Sequence, residues 1–97
     1  MVGNTLYLSG MLGRGDTGEA AARNVLDSIR ETLQEADMTM DDLVNVQIFA
    51  ADLGDYAAFN EVYRSYFTRE FPARAFVGAG SLLANARFEV IGIAVRR

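Results

Sequence analysis

Cysteine, histidine, lysine and tryptophan are all absent from this 97-residue chain, and its nine basic residues are therefore all arginine. Each absence closes a class of chemistry. Without cysteine there is no thiol nucleophile, without histidine no Ser/His/Asp triad, without lysine no Schiff base, and without both Cys and His no zinc site of the usual ligands. A phosphate-cradling GxxxxGK[ST] loop is excluded as well, because it needs its lysine. Long apolar runs are also lacking: none approaches the ~20 residues that span a bilayer, and the N-terminus has no basic start or cleavage site of a signal peptide. The chain reads as cytoplasmic, with no membrane partner.

What remains is a globular composition, 51% hydrophobic and 23% charged, on a chain long enough for one domain over residues 1–97. The thirteen acidic residues are scattered without a calcium-loop pattern, so no metal or other cofactor is expected. A net charge of −4 argues against affinity built on phosphate neutralisation, and hence against a nucleic-acid partner. Arg96 with Arg97 is the best candidate for a local basic patch, though a solubilising tail beside the last strand is the simpler reading.

Periodicity gives the element order. "TLYLS" (Thr5 to Ser9) alternates Leu6 and Leu8 against Tyr7 and predicts a strand. "GMLGRGDTGE" carries four glycines from Gly10 to Gly18 and predicts a loop. Asp16 with Glu19 suggests a capping box, opening a helix that runs to about Ala36 with Ala21, Val25, Ile29 and Leu33 as its apolar stripe. "TMDDL" suggests a capped single turn, and "VNVQIFA" a strand setting Val44, Val46, Ile48 and Ala50 against Asn45, Gln47 and Phe49. Asp55 is placed to cap a second helix through "YAAFNEVYRSYF", with Phe59, Val62, Tyr63 and Phe67 at helical spacing and Pro72 as the stop. "RAFVGAG" predicts a strand, "SLLANA" a connection, and "FEVIGIAV" the last strand. The order β, α, β, α, β, β implies an α+β domain with a mixed sheet and two helices on one face. The other face is too apolar for water, which predicts a closed homo-oligomer.

Two residues stand out chemically. On the last strand Arg87, Glu89, Ile91, Ile93 and Val95 share one side, and Glu89 is the lone acid among hydrophobes. Such a carboxylate is either paired, with Arg87 or a cross-strand neighbour, or kept for a role that uses a raised pKa. The other is Arg74 in "FPAR", where Pro72 fixes the backbone and the guanidinium enters a strand at once. It is either an ordinary salt-bridge partner, possibly of Glu89, or a rigid fork for a small carboxylate.

Taken together, "VGNTLYLSG", "VNVQIFAADLGDYAAFNEVYRSYF", "FPAR" and "ARFEVIGIAV" resemble the RidA family, also called YjgF or reactive-intermediate deaminases, over nearly the whole chain. The resemblance implies a chorismate-mutase-like homotrimer with sites between subunits, hydrolysing enamine and imine intermediates such as 2-aminoacrylate to 2-keto acids and ammonia. It implies that Arg74 binds the substrate carboxylate and that Glu89 positions or activates the attacking water. Ser9 and Asn60 match positions that line or support the cleft, although a polar residue on an apolar helix face also often serves a structural hydrogen bond. Phe76 falls where the family commonly has Cys, Ser or Thr, so its backbone serves the substrate while its side chain reshapes the pocket. Tyr63 fits the pattern with a packing role. The chain departs from the family in lacking its N-terminal strand, in Met11 where Gln is common, and in Ile91 where many members have a second Glu. Two further readings stay open: a non-catalytic trimeric module binding small carboxylates and, least favoured by the acidic charge, an endoribonuclease.

Overall fold

Period two and period four in the sequence become sheet and helix in the computed structural model, which describes residues 3–96. The elements are β1 (Thr5–Gly13), α1 (Gly18–Glu35), β2 (Leu43–Ala50), α2 (Tyr56–Arg64), β3 (Ala73–Gly78) and β4 (Phe88–Val95). The sheet order is β1-β4-β2-β3, with β4 antiparallel to both β1 and β2, and β3 parallel to β2. Helix α1 therefore carries the chain over the place that β4 later fills, and α2 carries it from β2 to its parallel neighbour β3. Both helices cover the same face, as the pattern implied.

The core is the seam between helices and sheet. Val25, Leu26, Ile29 and Leu33 of α1 and Phe59, Val62 and Tyr63 of α2 are buried against Leu8, Val46, Ile48, Phe88 and Val90. Phe59 and Phe88 meet with ring centroids 4.7 Å apart. Neither exposes any surface, and truncating either to alanine costs about 3–5 kcal/mol.

Several boundaries differ from the expected ones. β1 does not stop at Ser9 but continues to Gly13, with a bulge where the supposed loop begins. Leu8 pairs with Gly92 and Met11 with Val90, so Ser9 and Gly10 together oppose the single residue Ile91. A second bulge puts Val44 in the extra position between Leu43 and Asn45, which turns Val44 outward although the alternation counted it inward. The N-cap of α1 is Thr17, whose hydroxyl accepts the Ala20 N–H at 3.1 Å, and not Asp16. Asp16 instead offers its carbonyl to Arg87, and Arg96 donates to the Ala36 carbonyl at the other end of α1. Arg97 lies outside the described residues. The turn at Thr39–Asp42 is capped as expected, with Asp42 accepting the Thr39 N–H at 2.9 Å.

α2 ends at Arg64, well before Pro72. Ser65 folds its hydroxyl back onto the Val62 carbonyl at 2.6 Å, and the chain turns so that Phe67 and Phe71 pack on Tyr63 with centroids 4.8 and 6.0 Å away. Asp55 sits at the N-cap position of α2, yet its side chain makes no cap. It takes the Arg87 guanidinium at 3.1 Å. Arg87 also donates to the Gly15 carbonyl at 3.1 Å and the Asp16 carbonyl at 2.9 Å, tying three separate stretches of chain together.

The sheet face away from the helices carries Tyr7, Leu12, Asn45, Gln47, Phe49, Glu89, Ile91 and Ile93, and this chain leaves it uncovered. Tyr7 is 64% exposed and Ile91 38%. Ordinary solvated sheet faces are more polar than this.

Candidate functional site

Arg74 stands on the edge strand β3, two residues past Pro72. Its register partner on β2 is the buried Val46, so its side chain rises on the helix side of the sheet. There it meets α2: Arg74 Nη2 donates to Asn60 Oδ1. The guanidinium carbon lies 4.8 Å from the Tyr63 ring centroid, 5.6 Å from that of Phe76 and 5.8 Å from that of Tyr56. Three aromatic faces and one amide oxygen thus hold the cation in a fixed pose. Five N–H groups belong to a guanidinium, so a single bond to Asn60 leaves the fork able to grip an anion. Beside it opens a pocket of about 280 Å³ lined by Asn60, Tyr63, Arg64, Phe71 and Arg74.

Asn60 therefore serves Arg74 and not a backbone group. The cage also gives Phe76 a defined place: its ring packs edge-on to Tyr56 at 4.9 Å and against Phe59 at 5.6 Å, filling space next to the guanidinium. Tyr63 packs as expected, but its hydroxyl is buried with no hydrogen-bond partner of acceptable geometry among the described residues. Burial pushes this phenol up to about 12, against the opposing charge and N–H groups of the neighbouring Arg74 guanidinium.

Glu89 and Ser9 lie elsewhere. Glu89 pairs with Leu12 on β1 and Phe49 on β2, on the uncovered face of the sheet. Ser9 and Gly10 form the bulge beside it. Arg87, its expected neighbour in a salt bridge, is committed to Asp55, and the ion pairs among the described residues include none between Glu89 and Arg74. The two residues singled out for chemistry consequently occupy opposite sides of the sheet within one chain. Val46 and Phe49, their respective partners on β2, are three residues apart, and an odd spacing along a strand reverses the face. The chain brings together Arg74, Asn60, Tyr63 and Phe76 as one group, and sets Gly10 against Glu89 as another, with Ser9 adjoining Gly10 in the bulge. Tyr56 of the first group and Gly10 of the second escaped the sequence reading. Tyr56 was legible four residues before Asn60 on the same helix face, whereas Gly10 was hidden by its resemblance to a loop glycine. Among the described residues no cluster of three or more acidic side chains is arranged to hold a metal ion.

A caged, strand-borne arginine at a sheet edge and an acid on the uncovered face mark out the two sides of a β-α-β-α-β-β sheet. The family model for endoribonuclease L-PSP matches residues 1–96, and the chain belongs to this family, the RidA or YjgF proteins. It is 34% identical to the 2-iminobutanoate/2-iminopropanoate deaminase of Escherichia coli K12, covering 99% of this chain and 83% of that protein. Identity is 35% to a RutC family protein of Leuconostoc mesenteroides, over 90% of this chain and 76% of the relative. Among solved structures, the E. coli YjgF gene product superposes with a TM-score of 0.94 at 31% identity, covering all of this chain and 84% of that one. E. coli TdcF with bound serine gives 0.94 at 25% identity, again over all of this chain and 84% of that one.

Proposed function

We propose that the protein hydrolyses 2-imino acids to 2-keto acids and ammonia as a homotrimer, with Arg74 of one subunit facing Glu89 and Ser9 of the partner subunit. The observation that carries this reading is the preorganised guanidinium. Asn60 and three rings fix Arg74 beside an open pocket, an arrangement suited to orienting a small carboxylate. The relatives named as imine deaminases, and the relative solved with serine, support a substrate of amino-acid size. No helix among the described residues is long and apolar enough to cross a membrane, which is compatible with a cytoplasmic setting.

The chemistry needs little more than positioning. The C2 atom of an iminium is already electrophilic, so water adds there while the C=N π pair moves to nitrogen and Glu89 takes the water's proton. Glu89 returns that proton to the amine of the tetrahedral adduct, the C–N bond breaks, and ammonia leaves as the hydroxyl proton passes back to the carboxylate. Glu89 then passes this proton to the departing ammonia, which restores the carboxylate and gives the keto acid and ammonium as products. General acid/base help of this kind contributes about 10²- to 10⁴-fold. The opposite faces of Arg74 and Glu89 make an oligomer essential to the proposal, and the exposed Tyr7 and Ile91 supply an apolar surface for it.

The test is keto-acid release from an imine generated in place by an amino-acid oxidase. The wild-type protein should accelerate release and Arg74→Ala should abolish the effect, with sedimentation giving a trimer; no acceleration, or a monomer, would overturn the reading. A second reading, favoured by the serine-bound relative, is a trimer that binds small carboxylates without turnover. It predicts a melting temperature raised by serine or a 2-keto acid with no catalysis. Ribonuclease activity, suggested by the family description alone, fits poorly with a net charge of −4.

A further inference from the structure

We infer that Gly10 is a positioning residue for Glu89, its missing side chain being the seat of the catalytic carboxylate; this rests on the role proposed above for that acid. The glycines flanking the β1–α1 connection differ in what a side chain would meet. A Cβ on Gly13 would lie 2.7 Å from the Ala21 carbonyl oxygen, and one on Gly15 2.7 Å from the Ala21 nitrogen, so both glycines serve backbone packing. Gly10 touches no such neighbour first. The three atoms nearest its added Cβ all belong to Glu89: Oε2, which would overlap it, Cδ at 3.3 Å and Cγ at 3.7 Å.

The geometry has a local cause. The bulge sets Ser9 and Gly10 side by side against Ile91, and Glu89 is the next residue of β4 on that face. One extra residue in β1 thereby places a bare Cα beneath the carboxylate while keeping Ser9 alongside. A side chain at position 10 drives the carboxylate from this seat by turning its terminal torsions, since the obstructed group is the free end of a flexible chain. Gly10 has no left-handed backbone angle, so alanine fits its conformation without strain. The substitution acts on the acid and leaves the strand alone.

The experiment is a double-mutant cycle on imine hydrolysis with Gly10→Ala, Glu89→Ala and the pair. A misplacement of about 1 Å at a reacting group costs about 10²-fold, so Gly10→Ala should lower kcat by about that factor. KM should stay within about threefold because the Arg74 anchor is untouched. In the Glu89→Ala background the same substitution should have no further effect, and equal losses in both backgrounds would overturn the inference. A crystal structure of Gly10→Ala tests it independently of turnover. A displaced Glu89 carboxylate over an unmoved β1 supports the inference even if the wild type proves catalytically silent. An unmoved carboxylate, or a distorted strand, refutes it.

Discussion

Replacing Arg74 by lysine keeps the positive charge in the aromatic cage and removes the planar fork, which separates anchoring by geometry from anchoring by charge. In the structure one arm of the guanidinium is spent on Asn60 and the rings of Tyr63, Phe76 and Tyr56 fix its plane. An ammonium at the same place is a point charge that does not present two parallel N–H bonds to a carboxylate. Losing one hydrogen bond to a charged group costs about 1.5–3 kcal/mol, and about 1.4 kcal/mol is tenfold in rate, so kcat/KM for a 2-imino acid should fall about 10- to 150-fold. The loss should appear mainly in KM, because the anchor acts on ground state and transition state alike. Folding stability should change by less than about 1 kcal/mol, since lysine still offers a cation to the rings. Keto-acid release and urea unfolding on the same preparations measure both. Full kcat/KM in Arg74→Lys, or a loss matched by the fraction of unfolded protein, would refute the argument that the fork orients the substrate.

Other perturbations report on the support of the site. The Thr68 hydroxyl and N–H both donate to Asp41 and hold its carboxyl below the usual 3.8. This stabilisation is complete above about pH 4 and disappears as the pH falls through the depressed folded value. Asp41→Asn should therefore lower the urea midpoint at pH 7 and differ little from wild type in strong acid; an equal deficit at both pH values would disprove it. Burial raises the phenols of Tyr63 and Tyr66 to about 12, and Tyr66 also donates to Asp27 at 2.5 Å. An unfolded chain ionises these groups near pH 10, so stability should be full below that pH and drain away toward about pH 12, followed by phenolate absorbance. Tyr63→Phe removes a buried hydroxyl whose polar neighbour is the Arg74 guanidinium, and should change stability by no more than about 1 kcal/mol; a larger deficit in urea unfolding would disprove it.

The sequence was readable wherever a single element decided the outcome. The four-residue recurrence of Ala21, Val25, Ile29 and Leu33 became the buried stripe of α1, and the alternation in "FEVIGIAV" correctly separated Phe88 and Val90 from Glu89 and Ile91. Misreadings arose where a distant partner prevailed over local preference. Gly10 and Gly13 look like loop residues, yet β4 supplies a ladder that draws them into β1. Phe67 has helical spacing from Tyr63, but the helix ends at Arg64, Ser65 closes the turn, and Phe67 reaches the Tyr63 ring from beyond the helix. Asp55 has the chemistry of a cap and is taken by a guanidinium from the far end of the chain. The faces of Arg74 and Glu89 were the least accessible of all. Parity counted along one strand says nothing about another until the β2–β3 and β2–β4 registers are known.

Arg87 fastens the exit of β1, the start of α2 and the approach to β4 at a single corner. Slow breathing of the molecule should then begin at the far corner, where residues 65–72 are held by Thr68 on Asp41, Tyr66 on Asp27 and the rings of Phe67 and Phe71 on Tyr63. Amide exchange should fade in a gradient across the sheet from that side, and the stretch leading into Arg74 should be the first to lose protection when the protein is warmed.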